Sequence, residues 1–132
     1  MKKIYQTDNS KATGNCVNAC IASIFEIGID TIPNFWKETQ DSFKFWELIN
    51  KWSSKNLKHK CILVVRDKKK KSDFYFEDIL CVGIYKHDNG DEHAIVWKNG
   101  VIHNPSGYLC TERDPDTFMI FCPIIPKLES TL

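Results

Sequence analysis

The sequence predicts an α+β fold, and three observations predict it. Helical spacing is confined to the first half of the chain, β-branched and aromatic runs of strand length fill the second, and Asn99-Gly100 joins two of those runs as a hairpin. Residues 16–27 read as the first helix. Cys16, Cys20, Ser23 and Ile27 fall down one side with Ala19, Ala22 and Glu26 close by, small residues that let another element approach, and Gly28 is expected to stop it. Residues 29–36 form a connector ending in Phe35 and Trp36. Residues 42–53 read as the second helix, because Phe45, Trp46, Leu48, Ile49 and Trp52 recur at helical spacing with Lys44, Glu47 and Lys51 between them.

Strands are expected at 61–66, 79–86, 93–98, 101–104 and 117–122, in antiparallel order with the helices on one side. The run 67–73, four lysines flanked by aspartates, reads as a solvated loop or a docking point for an acidic partner. Residues 123–132, with two prolines, are expected to be a loosely held tail.

At 132 residues, 1–132 reads as a single domain able to bury about two-thirds of the surface its unfolded form exposes. A composition of 42% hydrophobic residues fits a packed core. The net charge of +1, from 18 basic and 17 acidic residues, gives no electrostatic pull toward nucleic acid or acidic membranes. The start, Met1-Lys2-Lys3-Ile4-Tyr5, has no apolar signal core, and no stretch approaches the roughly 18 apolar residues of a membrane span. A cytoplasmic protein with reduced cysteines is expected. Cysteines 61, 81 and 122 sit singly in apolar runs, where a thiol behaves as a small hydrophobe.

The chemistry-bearing segment is Gly14-Asn15-Cys16-Val17-Asn18-Ala19-Cys20, which puts Cys16 where a glycine-bearing loop becomes the first helical turn. The thiolate is the attacking species in cysteine chemistry, and the positive end of a helix dipole lowers the pKa of a thiol placed there. Cys16 is therefore the candidate nucleophile. Cys20, one turn further in, is expected to be structural, and a zinc site on Cys16 and Cys20 lacks a second matching pair.

A nucleophilic thiol needs a base and a group to orient that base. A two-residue Asn99-Gly100 loop sets Lys98 against Val101, Trp97 against Ile102, Val96 against His103 and Ile95 against Asn104. His93, Ile95, Trp97, Ile102 and Asn104 then share one face, with Lys98 and His103 on the other. His93 and Asn104 become diagonal neighbours, about 7–8 Å apart at the backbone. Asp91 shares that face too and is the alternative orienting group. Trp97 either shields the His93–Asn104 contact or packs in the core, and His59, His87 and His103 read as surface or structural residues.

These residues resemble the papain-like cysteine peptidases, and among them the small bacterial and phage domains related to bacteriocin leader peptidases. Such domains carry a Gln, a Cys opening a helix of the type Cys-x-x-Ala-x-x-Ala-Ser, a late His-Ala-[IV]-V strand, and a hairpin ending in Asp-Pro or Asn-Pro. The matching residues are Gln6, Cys16-Val-Asn-Ala-Cys-Ile-Ala-Ser23, His93-Ala-Ile-Val96 and Asn104-Pro105, within residues 6–107. The resemblance implies a papain-like plan in which the nucleophile helix and a second helix pack on an antiparallel sheet. It implies Cys16 as nucleophile, His93 as general base and acid, Asn104 as orienting residue, and Gln6 with the Cys16 amide as oxyanion donors. The implied activity is cofactor-free peptidase or amidase chemistry on a peptide or protein, through a thioester. The same triad also serves deamidation, isopeptide cleavage or acyl transfer. A different class of function is a binding protein on the same scaffold, a phage or bacterial factor that sequesters a host protein or small molecule.

Overall fold

Five antiparallel strands form one sheet in the order β1-β5-β2-β3-β4, where β1 is His59–Val65, β2 Cys81–Lys86, β3 Glu92–Trp97, β4 Val101–His103 and β5 Thr117–Pro123. A computed structural model describes residues 1–10, 14–66, 78–88, 90–107 and 114–126 of the chain. The lysine run at 67–73, and the tail from 127 onward, lie outside the described residues. The helices are α1 (Cys16–Phe25), the single-turn α2 (Phe35–Glu38) and α3 (Ser42–Asn56), with a 3₁₀ turn at Ile29–Thr31. The expected connector thus contains two short helical turns, and the second helix runs three residues past its expected end.

Helix α3 starts at Asp41, whose carboxylate accepts the N–H groups of Phe43 (2.9 Å) and Lys44 (3.1 Å), donors that a helix start leaves unpaired. Its buried stripe is Phe45, Ile49 and Ser53, four residues apart each time. Helix α3 lies on β1, the sheet's edge, and satisfies part of that edge directly. Asn50 Oδ1 accepts the Cys61 N–H at 2.9 Å, and Trp46 Nε1 donates to the Cys61 carbonyl at 3.1 Å.

Helix α1 lies on β3, and its buried Cys20, Ile21 and Ala22 join Val82, Ala94, Val96 and Met119 in the main core. A fully buried residue such as Ile21 contributes about 1.5–3 kcal/mol. The opposite sheet face carries a smaller cluster of Cys81, Phe118 and Ile120, with Trp97 packed on it.

Three expectations are corrected here. Helix α1 stops three residues before Gly28, because Glu26 itself takes the left-handed conformation (φ +54°) and its N–H returns to the Ala22 carbonyl; Gly28 is extended. In the hairpin, Val96 does pair with His103, but Trp97 pairs with Val101 instead of Ile102. The loop therefore holds Lys98, Asn99 and Gly100, and Ile102 is the extra residue of a bulge. Asn99, at φ +55°, donates its side-chain amide to Asp78, a tie from outside the hairpin. Finally, the chain beyond 122 is held further than expected: Pro123 pairs with His59, and the Ile124 N–H donates to the Lys58 carbonyl at 2.8 Å.

Candidate active site

Cys16 is the first residue of α1, and Asn15, the residue before it, makes no side-chain cap to the helix. The Asn15 amide instead pins the N-terminal segment. Its Oδ1 accepts the N–H groups of Thr7 and Asp8, both at 3.0 Å, and its Nδ2 donates to Thr7 Oγ1 at 2.8 Å. Gly14 is required by the same crossing, since a Cβ there would stand 2.4 Å from the Ser10 carbonyl oxygen. Gly14 and Asn15 are therefore tied to the segment that carries Gln6.

The half-buried Cys16 thiol is reached by the backbone N–H groups of Ala94, Val17 and Cys16 itself, each of which favours the thiolate. Burial opposes them and wins, and the Glu92 carboxylate adds to it, so the thiol titrates above its ordinary value. The depressed pKa expected from the helix dipole is thus overturned by desolvation. Cys20 is fully buried, and burial followed by the neighbouring Cys16 drives its thiol further up still.

His93, the second residue of β3, follows Glu92 and precedes the Ala94 whose amide meets the Cys16 sulfur. Its Nε2 donates to Asn104 Oδ1 at 2.8 Å, since an amide oxygen is acceptor only. The diagonal His93–Asn104 relation expected from the sequence is present, and Asn104 is the group on Nε2. The Asp91 carbonyl closes the turn before β3, accepting the His87 N–H at 2.8 Å. The ring against His93 is Tyr85, its cross-strand partner, edge-on with centroids 5.7 Å apart, and His87 stacks beyond at 6.4 Å. Trp97 meets Phe118 in the core.

Gln6 reaches the site through its backbone, which donates to the Pro105 carbonyl at 2.9 Å. Its Nε2 donates to the Asp8 carbonyl at 3.2 Å, while its buried Oε1 has no hydrogen-bond partner among the described residues. Gln6, Cys16, His93 and Ser106 line one cleft of about 940 Å³, which Trp36 and Trp46 also line. Among the described residues, no group of three or more His, Cys, Asp or Glu side chains is placed to hold a metal ion.

Sequence reading missed Tyr85, His87 and Ser106. Tyr85 meets His93 only through the β2–β3 register, which no local pattern encodes. Ser106 had a signal: two residues after an Asn, its N–H closes an Asx turn on Asn104 Oδ1 (3.1 Å), and its Oγ donates to the same atom at 2.8 Å. No protein-family model, curated protein or solved structure matches this chain.

Proposed function

We propose that this chain is a cysteine-dependent acyl-transfer hydrolase of papain-like plan, a peptidase or amidase using Cys16, His93 and Asn104. The observation that carries the reading is the His93 Nε2–Asn104 Oδ1 bond at 2.8 Å, one residue from the Ala94 amide that meets the Cys16 sulfur. A proton held on Nε2 leaves Nδ1 as the basic nitrogen of the neutral ring. Among the described residues no helix is long and apolar enough to cross a membrane. The proposed setting is the cytoplasm and the proposed substrate a peptide or protein segment, for which a cleft of about 940 Å³ has room.

In the mechanism, Nδ1 takes the Cys16 proton as the sulfur bonds to the carbonyl carbon. The oxyanion is met by the Cys16 amide and by the Gln6 N–H not used on Asp8. Collapse of the tetrahedral adduct breaks the C–N bond, and the imidazolium gives its proton to the leaving amine. His93 then deprotonates a water that attacks the thioester, and the thiol regains its proton as the acid leaves. Burial keeps Cys16 a neutral thiol before substrate arrives, so proton transfer to His93 accompanies attack.

The test is acylation by a panel of aryl esters and peptide anilides, followed by intact mass and peptide mapping. The expected result is a thioester on Cys16, absent in Cys16→Ala and formed about 10²–10⁴-fold more slowly in His93→Ala. A wild-type protein acylated no faster than Cys16→Ala would overturn the reading and leave a binding protein on this scaffold.

A further inference from the structure

On the helix side of the sheet the registers set Val65, Thr117, Ile84 and Ala94 in one row across four strands. Val65 faces Thr117, Thr117 faces Ile84, and Ile84 faces Ala94. Neighbouring strands stand about 4.8 Å apart, so the row runs about 14 Å from the amide that meets the Cys16 sulfur to the edge of the sheet. All four residues and Cys16 line the same cleft of about 940 Å³. Ile84 and Thr117 are half-buried and Val65 is 71% exposed, so beyond Ala94 the row is not closed over. On its inner side lies the packed row of Leu63, Met119 and Val82, and on its outer side the Lys86–Glu92 ion pair at 3.8 Å. Trp36 of α2 and Trp46 of α3 also line the cleft, and Trp46 has its Nε1–H committed to the Cys61 carbonyl, which leaves the ring as its contact surface.

The floor of this trough has little to offer a hydrogen-bonding guest. Strands β5, β2 and β3 are paired on both sides, so their N–H and C=O groups are committed within the sheet, and the Thr117 hydroxyl donates to Asp116 Oδ1 at 3.1 Å. A peptide lying across the strands would turn its own backbone groups toward that floor without partners, whereas an alkyl chain has none to satisfy. A carbon zigzag advances about 1.25 Å per bond, so the row matches about ten to twelve carbons. We propose that the acyl group delivered to Cys16 is linear and apolar, of about that length, and lies in this trough with its carbonyl at the thiol and its methyl end at Val65. The inference rests on the acyl-transfer reading above. The bond from the acyl carbon to the leaving nitrogen or oxygen breaks as the C–S bond forms, the thiol proton passes through His93 to the leaving group, and water then releases the alkanoic acid.

The experiment is calorimetric titration of the full chain carrying Cys16→Ala with N-alkanoylglycines from hexanoyl to tetradecanoyl, beside the rates at which the matching aryl esters acylate Cys16 in the wild type. Affinity and acylation rate should each rise about two- to fourfold per methylene and level off at about twelve carbons. Thr117→Trp fills the trough two strands from the thiol and should bring the levelling to about six to eight carbons. Val65→Asp, at an exposed position that tolerates a charge, should remove only the gain of the last methylenes. A length-independent affinity would overturn the proposal, as would a levelling point that neither variant moves. So would acetyl-tetra-alanylglycine, of matched length, binding as tightly as dodecanoylglycine. Fast acylation of Cys16 with no length dependence would overturn the trough and leave the acyl-transfer reading standing. Length-dependent binding in a protein whose Cys16 no ester acylates would uphold the trough as an alkyl site and overturn the acyl-transfer reading.

Discussion

The amide oxygen of Asn104 sits 2.8 Å from Nε2 of His93, although the hairpin that joins them does not have the register its turn sequence favours. Two displacements cancel. The loop takes Lys98 in addition to Asn99 and Gly100, and the bulge at Ile102 returns that residue on the other strand, so Val96 still faces His103. Beyond that pair the relation of His93 to Asn104 is the one the alternation implies.

His93 Nε2, the Ser106 N–H and the Ser106 hydroxyl all donate to Asn104 Oδ1, and a carboxylate satisfies the same three donors. Asn104→Asp is therefore expected to keep kcat within about tenfold of wild type, while Asn104→Ala, which leaves the imidazole unoriented, should cost about 10²-fold. Steady-state rates on an ester that acylates Cys16 measure both. Wild-type kcat in Asn104→Ala would remove Asn104 from the mechanism.

What was legible in the sequence was local. The Phe45–Ile49 spacing marks α3, and each expected strand lies within two residues of its observed limits. What was not legible depends on packing. The dipole argument for Cys16 is sound for an exposed helix start, but β3 covers this one, and desolvation is a property of the neighbour. Gly28 looked like the natural helix stop, yet Glu26 adopts the left-handed conformation two residues earlier. Tyr85 meets His93, and Ser23 meets Ile4, by long-range pairings that no window of sequence contains.

Ser23 is fully buried in α1 and holds the N-terminal segment that carries Gln6. Its one hydroxyl proton is directed to the Ala19 carbonyl at 2.7 Å, with the Ile4 carbonyl 3.2 Å away, and its oxygen accepts the Ile4 N–H at 3.0 Å. The Ile4 carbonyl also accepts from His103 Nε2 at 2.7 Å, which brings α1, the N-terminal segment and β4 to one point. Ser23→Ala strands the partly buried Ile4 N–H and should cost about 1 kcal/mol. The urea midpoint should fall, and amide exchange at Ile4 to Thr7 should quicken. An unchanged midpoint with unchanged exchange would show that the segment is held elsewhere.

Gly83, mid-strand in β2, is a packing glycine. A Cβ there would stand 2.6 Å from Pro115 Cγ and 3.1 Å from Pro115 Cβ, and Pro115 is fully buried. Just after it, Asp116 donates its N–H to the Ile84 carbonyl and accepts from the Arg66 N–H. The proline therefore cannot retreat without disturbing the entry to β5. Gly83→Ala should lower stability by about 1–3 kcal/mol, the usual cost of overpacking a filled core. A thermal midpoint equal to wild type would mean that Pro115 moves freely.

Burial also makes this fold sensitive to alkali. It pushes the Cys61 and Cys81 thiols up to about 12, and raises those of Cys16 and Cys20, all from an ordinary value of 9.0. Above pH 9 the unfolded chain loses thiol protons that the folded chain keeps. The folded state then binds more protons, so stability falls as pH rises. The contribution is whole below about pH 9 and is lost progressively toward pH 12. Each such thiol steepens the slope by at most about 1.4 kcal/mol per pH unit. Urea midpoints measured from about pH 9 to about pH 10.5 should decline, and the decline should be shallower in Cys61→Ala, whatever the variant's starting stability. Comparing slopes in the two proteins removes the lysines and tyrosines they share. Parallel slopes would mean that Cys61 ionises as readily in the folded chain as in the unfolded one, and that its place beneath α3 does not exclude water.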